Sequence, residues 1–575
     1  MRSAAHFAAA SAFAIFSAST LAQLAQVKPD AGSVLEQTKQ PAAAPQPSPD
    51  VLPRVPEPRP ALAAPGLKVT VKGFRISGNT LFPEDVLAAA AQEFVGKEQN
   101  IDGLNDAATK VRAYYRERGY FLAQAYLPQQ EIKDGVVEIA VIEARLGKVA
   151  LNFKEGTRYS ESLVRGILEH HLREGDIITE NGLETPLLLL NDFPNATVTS
   201  EIKPSQTLGA ADLTVHVGSA PGWINGSVDV DNYGNRYTGA IRTGISLNVN
   251  NPLSLGDQLS YRGFRTDDEM SFYRLAYVIP VGYWGTRVGL SYASFHYRLG
   301  KEFIETLNHG TGGVTTLYAF HPIVRTRGAN VILQYANELK RLNDRDDINN
   351  TIIDRRIISN KLGVVGDFRD GLLGGGLNSY SYTYTVGTNQ LGPAPILIGD
   401  QGAAGAKTAG RFVKQNFEFR RLQKITDNAT LLLALQGQMA SRNLTSAEKF
   451  SLGGATGVRA YPSGEALGDT GYVFQGELRY IIPGFKIGGA DVTVSGFYDQ
   501  GWVQIQENFV NPPGGTTPAN ANNRSLSGYG IGGSIGKDSS FVVRASVAWR
   551  NENELPNSDT STRIPRVWVQ GIKWF

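Results

Sequence analysis

Ser379-Tyr380-Ser381-Tyr382-Thr383-Tyr384-Thr385-Val386 alternates hydroxyl-bearing side chains with aromatic and aliphatic ones. Successive side chains of a strand point to opposite faces, so this stretch reads as a strand with one apolar and one wet face. Val492 and Val494 alternate in the same way with Thr493 and Ser495. Leu431, Leu433, Leu435, Gly437 and Met439 alternate with Thr430, Gln436 and Gln438, although Leu432 and Ala434 blur the polar set. From Gly222 onward helical periodicity gives way to this period of two in segment after segment. Such an array is either a large soluble β-sandwich or propeller, or a barrel whose apolar face meets lipid.

The other end of the chain helps to choose. Residues 1–25 carry Arg2, an apolar stretch from Ala8 to Phe16 and small residues suited to a peptidase, with a cut after Ala22 or Ala25, so the segment reads as a secretory signal peptide. An exported chain whose aromatic-rich alternation ends in Phe575 fits an outer-membrane barrel. Residues 221–575, at about 22 residues per strand and its share of loop, hold about 16 antiparallel strands, an even number as bacterial barrels require. Hydrocarbon offers no hydrogen-bond partner, so the sheet must close. The last strand, Val567–Phe575, is therefore expected to pair with the first near Trp223–Val230, making Phe575 the barrel-closing end.

Composition sets limits on function. Lys and Arg total 56 against 54 Asp and Glu, so there is no global basic field for nucleic acid. With 63 Gly, 23 Tyr and 25 Phe but only 3 Met, the chain of 575 residues suits strands and turns. It has no Cys, which removes disulfide scaffolds and Cys-based metal or nucleophile sites. Neither a cofactor nor a metal is expected. His170 and His171 adjoin on a helix and are expected to point apart, and Asp344, Asp346 and Asp347 are expected in solvated surface loops. Gly528-Tyr529-Gly530-Ile531-Gly532-Gly533 satisfies a dinucleotide-binding spacing, but without a βαβ unit around it the run reads as barrel wall.

Ahead of the barrel, residues 41–66 form a Pro-rich linker, nine of the 28 prolines falling between positions 41 and 65. Residues 26–40 before it hold a candidate plug helix, with Ser33 or Asp30 as its cap. From Leu67 the order strand, helix, helix, strand, strand occurs twice, giving two βααββ units at 67–146 and 147–220. The first is expected to open with a strand through Val69, Val71 and Phe74, and to carry later strands at Phe121–Leu127 and Val136–Ile142.

Such units resemble POTRA domains, the periplasmic modules of outer-membrane transporters, whose outer strand is an edge for adding an extended client. Ser451-Leu452-Gly453-Gly454-Ala455-Thr456-Gly457-Val458-Arg459-Ala460-Tyr461-Pro462 resembles the loop of the two-partner secretion transporters. Asp231–Gly239, Asn251–Leu259, His321–Arg325 and Leu187–Asn191 resemble further segments of that family, in the family's order. The resemblance implies that the loop folds back into the barrel and that its arginine, here Arg459, meets an acidic residue of the inner wall. Gly457, Val458, Arg459 and Tyr461 match the loop. The wall strand matches at Gly496–Gly501, and alternation puts Asp499 on the face of Thr493 and Ser495, hence in the lumen. Ala460 stands where the family usually has Gly.

The resemblance further implies a non-enzymatic outer-membrane pore that recognises an unfolded secreted partner of adhesin or haemolysin type through periplasmic domains and exports it without ATP. The expected partners are that large polypeptide and outer-membrane lipid, with no nucleic acid, and the pore is expected to be monomeric. A barrel-assembly factor, which would carry more than two periplasmic repeats, and a small-solute porin, which would not need them, are the alternatives.

Overall fold

The computed structural model describes residues 28–38, 51–52, 68–207, 209–220, 222–510, 522–537, 540–551, 554–559 and 564–575. The expected signal peptide and most of the linker lie outside these residues. Among the described residues no helix is long and apolar enough to cross a membrane.

Helix α1 (Ala31–Gln37) begins at Asp30, whose side chain accepts from the Ser33 amide, while the Ser33 hydroxyl accepts from the Asp30 amide. The two residues thus cap the helix reciprocally. Next come β1 (Gly73–Ser77), α2 (Glu84–Ala90), α3 (Ile101–Arg116), β2 (Gln124–Tyr126) and β3 (Val136–Ile142). β3 lies between β1, to which it runs parallel, and β2. β4 (Arg145–Phe153), α4 (Glu161–His171), α5 (Glu180–Asn191), β5 (Ala196–Pro204) and β6 (Ala210–Ser219) repeat that arrangement, with β6 central. In α3 the helical spacing of Leu104, Ala107, Ala108, Val111 and Tyr115 buries one face against the sheet.

The first unit departs from the sequence reading in two places. The single strand expected through Val69 and Phe74 is divided, because Val71 donates its amide to Lys97 and Lys72 donates its amide to Gly135. Val69–Thr70 pairs with Glu98–Gln99 instead of continuing into β1. The strand expected at Phe121–Leu127 shrinks to β2, since Phe121 and Leu122 pack into the core of the second unit. Val51, 2% exposed, inserts into that same core, and the Ser200 hydroxyl donates to its carbonyl at 2.8 Å.

Sixteen strands then close a barrel: β7 (Ile224–Asp231), β8 (Arg242–Asn250), β9 (Gln258–Thr266), β10 (Ser271–Pro280), β11 (Arg287–Arg298), β12 (Asn308–Arg325), β13 (Ala329–Asp346), β14 (Thr351–Asp370), β15 (Gly376–Gly392), β16 (Gly410–Lys424), β17 (Ala429–Ala440), β18 (Thr470–Ile487), β19 (Ala490–Gln504), β20 (Asn523–Lys537), β21 (Phe541–Arg550) and β22 (Arg566–Trp574). Every neighbouring pair is antiparallel, and Trp574 of β22 stands opposite Ser227 of β7. Phe575 and Gly226 exchange two backbone hydrogen bonds at 3.0 Å, which removes the last free edge. A Cβ on Gly226 would lie 2.4 Å from the Ser246 carbonyl, so the seam requires glycine there.

The second unit is bolted to one end of the barrel. Arg325 on β12 donates to both carboxylate oxygens of Asp192 at 2.9 and 2.7 Å, and Arg327 in the following turn pairs with Glu180 and Glu184 of α5. His170 packs on Trp284 at 4.0 Å between ring centroids. The adjoining His170 and His171 do not diverge as expected: their rings meet edge on at 5.1 Å, because His171 turns back toward the Ile167 carbonyl. Short turns join the strands at this end, which is expected to face the periplasm, and the longer loops join them at the other.

Candidate functional site

The loop joining β17 to β18, residues 441–469, does not stay outside. Its arms pair at Phe450–Ser451 with Leu467–Gly468, and its tip turns back against the inner wall. A Cβ on Gly457 would lie 2.0 Å from the Leu452 carbonyl, so only glycine permits the fold in which Val458 donates to that carbonyl at 2.7 Å. Val458 and Tyr461, both fully buried, pack with Leu452 against wall residues Val473, Phe497, Val503, Leu526 and Ala548. That apolar face presses the tip to the wall and keeps water from the charged pair beside it.

Arg459 reaches Asp499 three times. Its amide donates to Oδ2 at 3.0 Å, its Nε to Oδ2 at 2.8 Å and its Nη2 to Oδ1 at 2.8 Å. The carboxylate is fully buried and the guanidinium is 11% exposed. Nη1 donates to Glu477 Oε2 at 2.8 Å, the guanidinium carbon lies 3.4 Å from the Phe497 ring centre, and Trp568 Nε1 donates to the Arg459 carbonyl at 2.7 Å. A bidentate pair with a planar ring beneath it fixes position as well as charge. Gly457, Val458, Arg459, Tyr461 and Asp499 therefore lie together, whereas Phe575 lies at the seam, 60% exposed.

Sequence reasoning missed Glu477 and Trp568. For Glu477 a signal existed: Tyr472, Phe474, Leu478 and Tyr480 are exposed on one face of β18, which leaves Gln475, Glu477 and Arg479 on the other. Ala460, where the resemblance leads one to expect Gly, is accommodated across the gap. Its methyl meets Gly528 of β20, where a Cβ would lie 2.4 Å away.

Two further carboxylates hold the loop. Fully buried Glu465 accepts from Arg524 and from the amides of Asn557 and Ser558 at 2.9 and 2.8 Å. Glu448 sits between Lys340 of β13 and Lys414 of β16, at 2.6 and 2.8 Å.

Helix α1 lies in the outer part of the same lumen. Ala31 and Val34 are fully buried among Phe264, Phe272, Phe295 and Tyr297. The Ala31 amide donates to Asp344 Oδ1 at 2.7 Å, and Arg242 Nη1 donates to the Gln37 carbonyl at 2.8 Å. Asp344 was expected in a solvated loop. It belongs to β13, which runs on to Asp346, and it faces inward, because pairing with β12 and β14 carries this strand beyond the point where its apolar alternation fades. The other side of the helix touches the loop itself: the Ser446 hydroxyl donates to Asp30 Oδ2 at 2.6 Å, and a Cβ on Gly32 would lie 2.4 Å from the Ala447 nitrogen. Arg355 bridges Asp30 and Asp344. Helix and loop thus occupy the lumen while resting on each other.

Comparison with known proteins agrees with this construction. A family described as haemolysin secretion/activation protein ShlB/FhaC/HecB matches residues 209–535, and the ShlB-type POTRA domain matches residues 69–144. The heme/hemopexin transporter protein HuxB of Haemophilus influenzae (strain 86-028NP) is 26% identical over 495 residues, 85% of this chain and 84% of HuxB. The outer membrane transporter CdiB of Dickeya dadantii (strain 3937) is 25% identical over 422 residues, 72% of each chain. The solved structure of CdiB from Escherichia coli superposes with a TM-score of 0.67 at 21% identity, covering 91% of this chain and 94% of that one, and so shares the fold. Because the first match spans more than half of the residues, the chain belongs to the haemolysin secretion/activation protein ShlB/FhaC/HecB family of outer-membrane secretion transporters.

Proposed function

We propose that this chain is the outer-membrane pore of a two-partner secretion pair, carrying one large partner polypeptide of adhesin or haemolysin type from periplasm to cell surface. The observation that carries the reading is a closed barrel, mounted on two βααββ units, whose lumen holds a helix and a loop pinned to it by wall carboxylates such as Asp344 and Asp499. An unfolded client would first meet the periplasmic units. In the second, β5 pairs among the described residues with β6 alone, and its other edge suits an extended segment. The client would then displace α1, pass a wall of paired charges and hydrogen-bonding groups, and fold outside. Folding on the far side makes return unfavourable without ATP.

We read Arg459 and Asp499 as the lock that holds the loop against the wall during this passage. We further read the pore as a monomer, since closure within one chain supports it, and as a protein without catalytic activity, nucleic-acid partner or cofactor. The test is co-expression with a long partner encoded beside it. Deleting residues 69–219 should abolish appearance of the partner in the medium while the barrel still conducts ions in planar bilayers. Undiminished export by the truncated barrel would refute the reading.

A further inference from the structure

The barrel wall carries a feature on its lipid side that export does not use. Outward residues of adjacent strands form rows across the sheet. One row runs Tyr292, Thr315, Leu339, Ile358 and Thr388, and the next toward the cell exterior runs Ser294, Gly313, Arg341, Arg356 and Gln390. Arg341 and Arg356 are direct cross-strand neighbours. Like charges placed so are mutually repulsive. Among the described residues neither guanidinium makes a hydrogen bond or ion pair. Of the other outward arginines, Arg298 pairs with Glu269 at 3.1 Å and Arg421 with Asp370 at 2.6 Å, while Arg265 stands opposite Thr243 and Ser271 and Arg411 opposite Thr388, so neither faces a second cation.

The height of the pair matters. The outward face of β14 runs from Phe368, near the periplasmic end, through Val364 and Leu362 to Ile358, and is apolar except at Asn360, which accepts from Asn337 and Tyr335 of the neighbouring strand. Ten residue steps at about 3.3 Å each, tilted by about 40°, span about 25 Å, the height of a lipid-facing apolar band. Arg356 stands one pleat beyond, where outer-leaflet headgroups begin. The surface there is recessed. Gly313 contributes no side chain beside Arg341, and a hollow of about 720 Å³ opens between Tyr292, Ser294, Arg341, Arg356 and Gln390. Asp354, in the row above, also lines it, its carboxylate accepting from Asn343 Nδ2.

We infer that this hollow binds the phosphorylated sugar headgroup of an outer-leaflet glycolipid of the lipid A class. Two unpaired guanidinium groups face one site and can each grip a phosphate monoester through two parallel hydrogen bonds. The Ser294 hydroxyl, the Gln390 amide and the Asp354 carboxylate suit sugar hydroxyls, and the row of Tyr292, Leu339 and Ile358 just below suits acyl chains. An anion here also relieves the repulsion between Arg341 and Arg356. The bound lipid would set the depth of the barrel at the end opposite its periplasmic mount, on the same strands.

The test uses the full-length protein, delipidated in detergent, offered bisphosphorylated lipid A, phosphatidylglycerol or phosphatidylethanolamine, with retained lipid counted by native mass spectrometry. The wild type should retain lipid A about tenfold or more over phosphatidylethanolamine, and Arg341→Gln/Arg356→Gln should lose about that factor. Arg341→Lys/Arg356→Lys, which keeps the charge but not the forked geometry, should fall between. Each variant is first shown to be a closed barrel by its heat-modifiable migration. Equal retention of lipid A by the wild type and the Gln variant, or equal retention of phosphatidylethanolamine and lipid A by the wild type, overturns the proposal. Equal retention of phosphatidylglycerol overturns its assignment to a phosphate monoester.

Discussion

Asp499 is fully buried in the barrel wall and accepts three hydrogen bonds from one residue, Arg459, at the tip of a loop forty positions earlier in the chain. One of the three comes from the arginine amide, so the carboxylate grips backbone as well as side chain. Removing Arg459 strands the Asp499 carboxylate where water is excluded, which costs about 3–5 kcal/mol, whereas removing Asp499 leaves the guanidinium with Glu477 and costs less. Asp499→Ala and Arg459→Ala should each free the tip, seen as new protease cleavage between residues 453 and 463, and reduce export at unchanged barrel abundance. Normal export by both variants would leave the pair as scaffolding only.

The methyl of Ala460 fills the space left by Gly528. Gly528→Ala should therefore loosen the tip by about 1–3 kcal/mol, the usual penalty for overpacking. Ala460→Gly in the same chain should recover part of the loss and not all, because the new Cβ also lies 2.9 Å from the Trp549 carbonyl. A double-mutant cycle read from the protease sensitivity of the loop gives the coupling. Additive single effects would mean that the two positions do not sense each other.

Asp30 caps α1 and also meets Arg355 and Ser446. Asp30→Ala removes all three contacts. Loss of the cap alone costs about 1 kcal/mol, and Arg355 is left with Asp344. Single channels in planar bilayers should then spend several-fold more time at high conductance. Unchanged gating would show that the helix is retained by its apolar side through Ala31 and Val34.

In the first periplasmic unit Glu143 accepts from the amides of Thr80 and Leu81 at 2.8 and 2.9 Å, from the Thr80 hydroxyl and from Tyr115. Burial pushes its carboxyl pKa upward, but these donors outweigh burial and hold it below the ordinary value. A carboxylate more acidic when folded than when unfolded adds stability that is complete above the unfolded pKa and is lost as the pH falls through the folded one. Hydrogen-exchange protection at the Thr80 and Leu81 amides, taken relative to the intrinsic rate at each pH, should fall as the pH drops below the usual carboxylate range. Glu143→Gln should flatten that dependence and cost about 1–3 kcal/mol at neutral pH.

Much of the architecture can be read without coordinates, because its signals are local. The alternation at Tyr380–Val386 and Val492–Ser495, the repeated βααββ order and the requirement to close on Phe575 need only the residues themselves. Asp499 was accessible in the same way, since parity along one strand places it inside. Asp344 was not. It sits among charged and amide side chains at the end of β13, where alternation of polar with apolar residues has ceased, and only pairing with β12 and β14 keeps the strand going.

By itself, then, the sequence determined the face a wall residue presents wherever polar and apolar residues alternate, the number of strands and the two-unit periplasmic order, because a period of two is a property of one strand. Only the tertiary structure decided which residues meet: Arg459 with Glu477, Ala460 with Gly528, Ser446 with Asp30, and Arg341 beside Arg356. Such meetings depend on the stagger between strands and on the path of a loop through the lumen. Both are set by closing the whole sheet, and no single stretch of the chain encodes them.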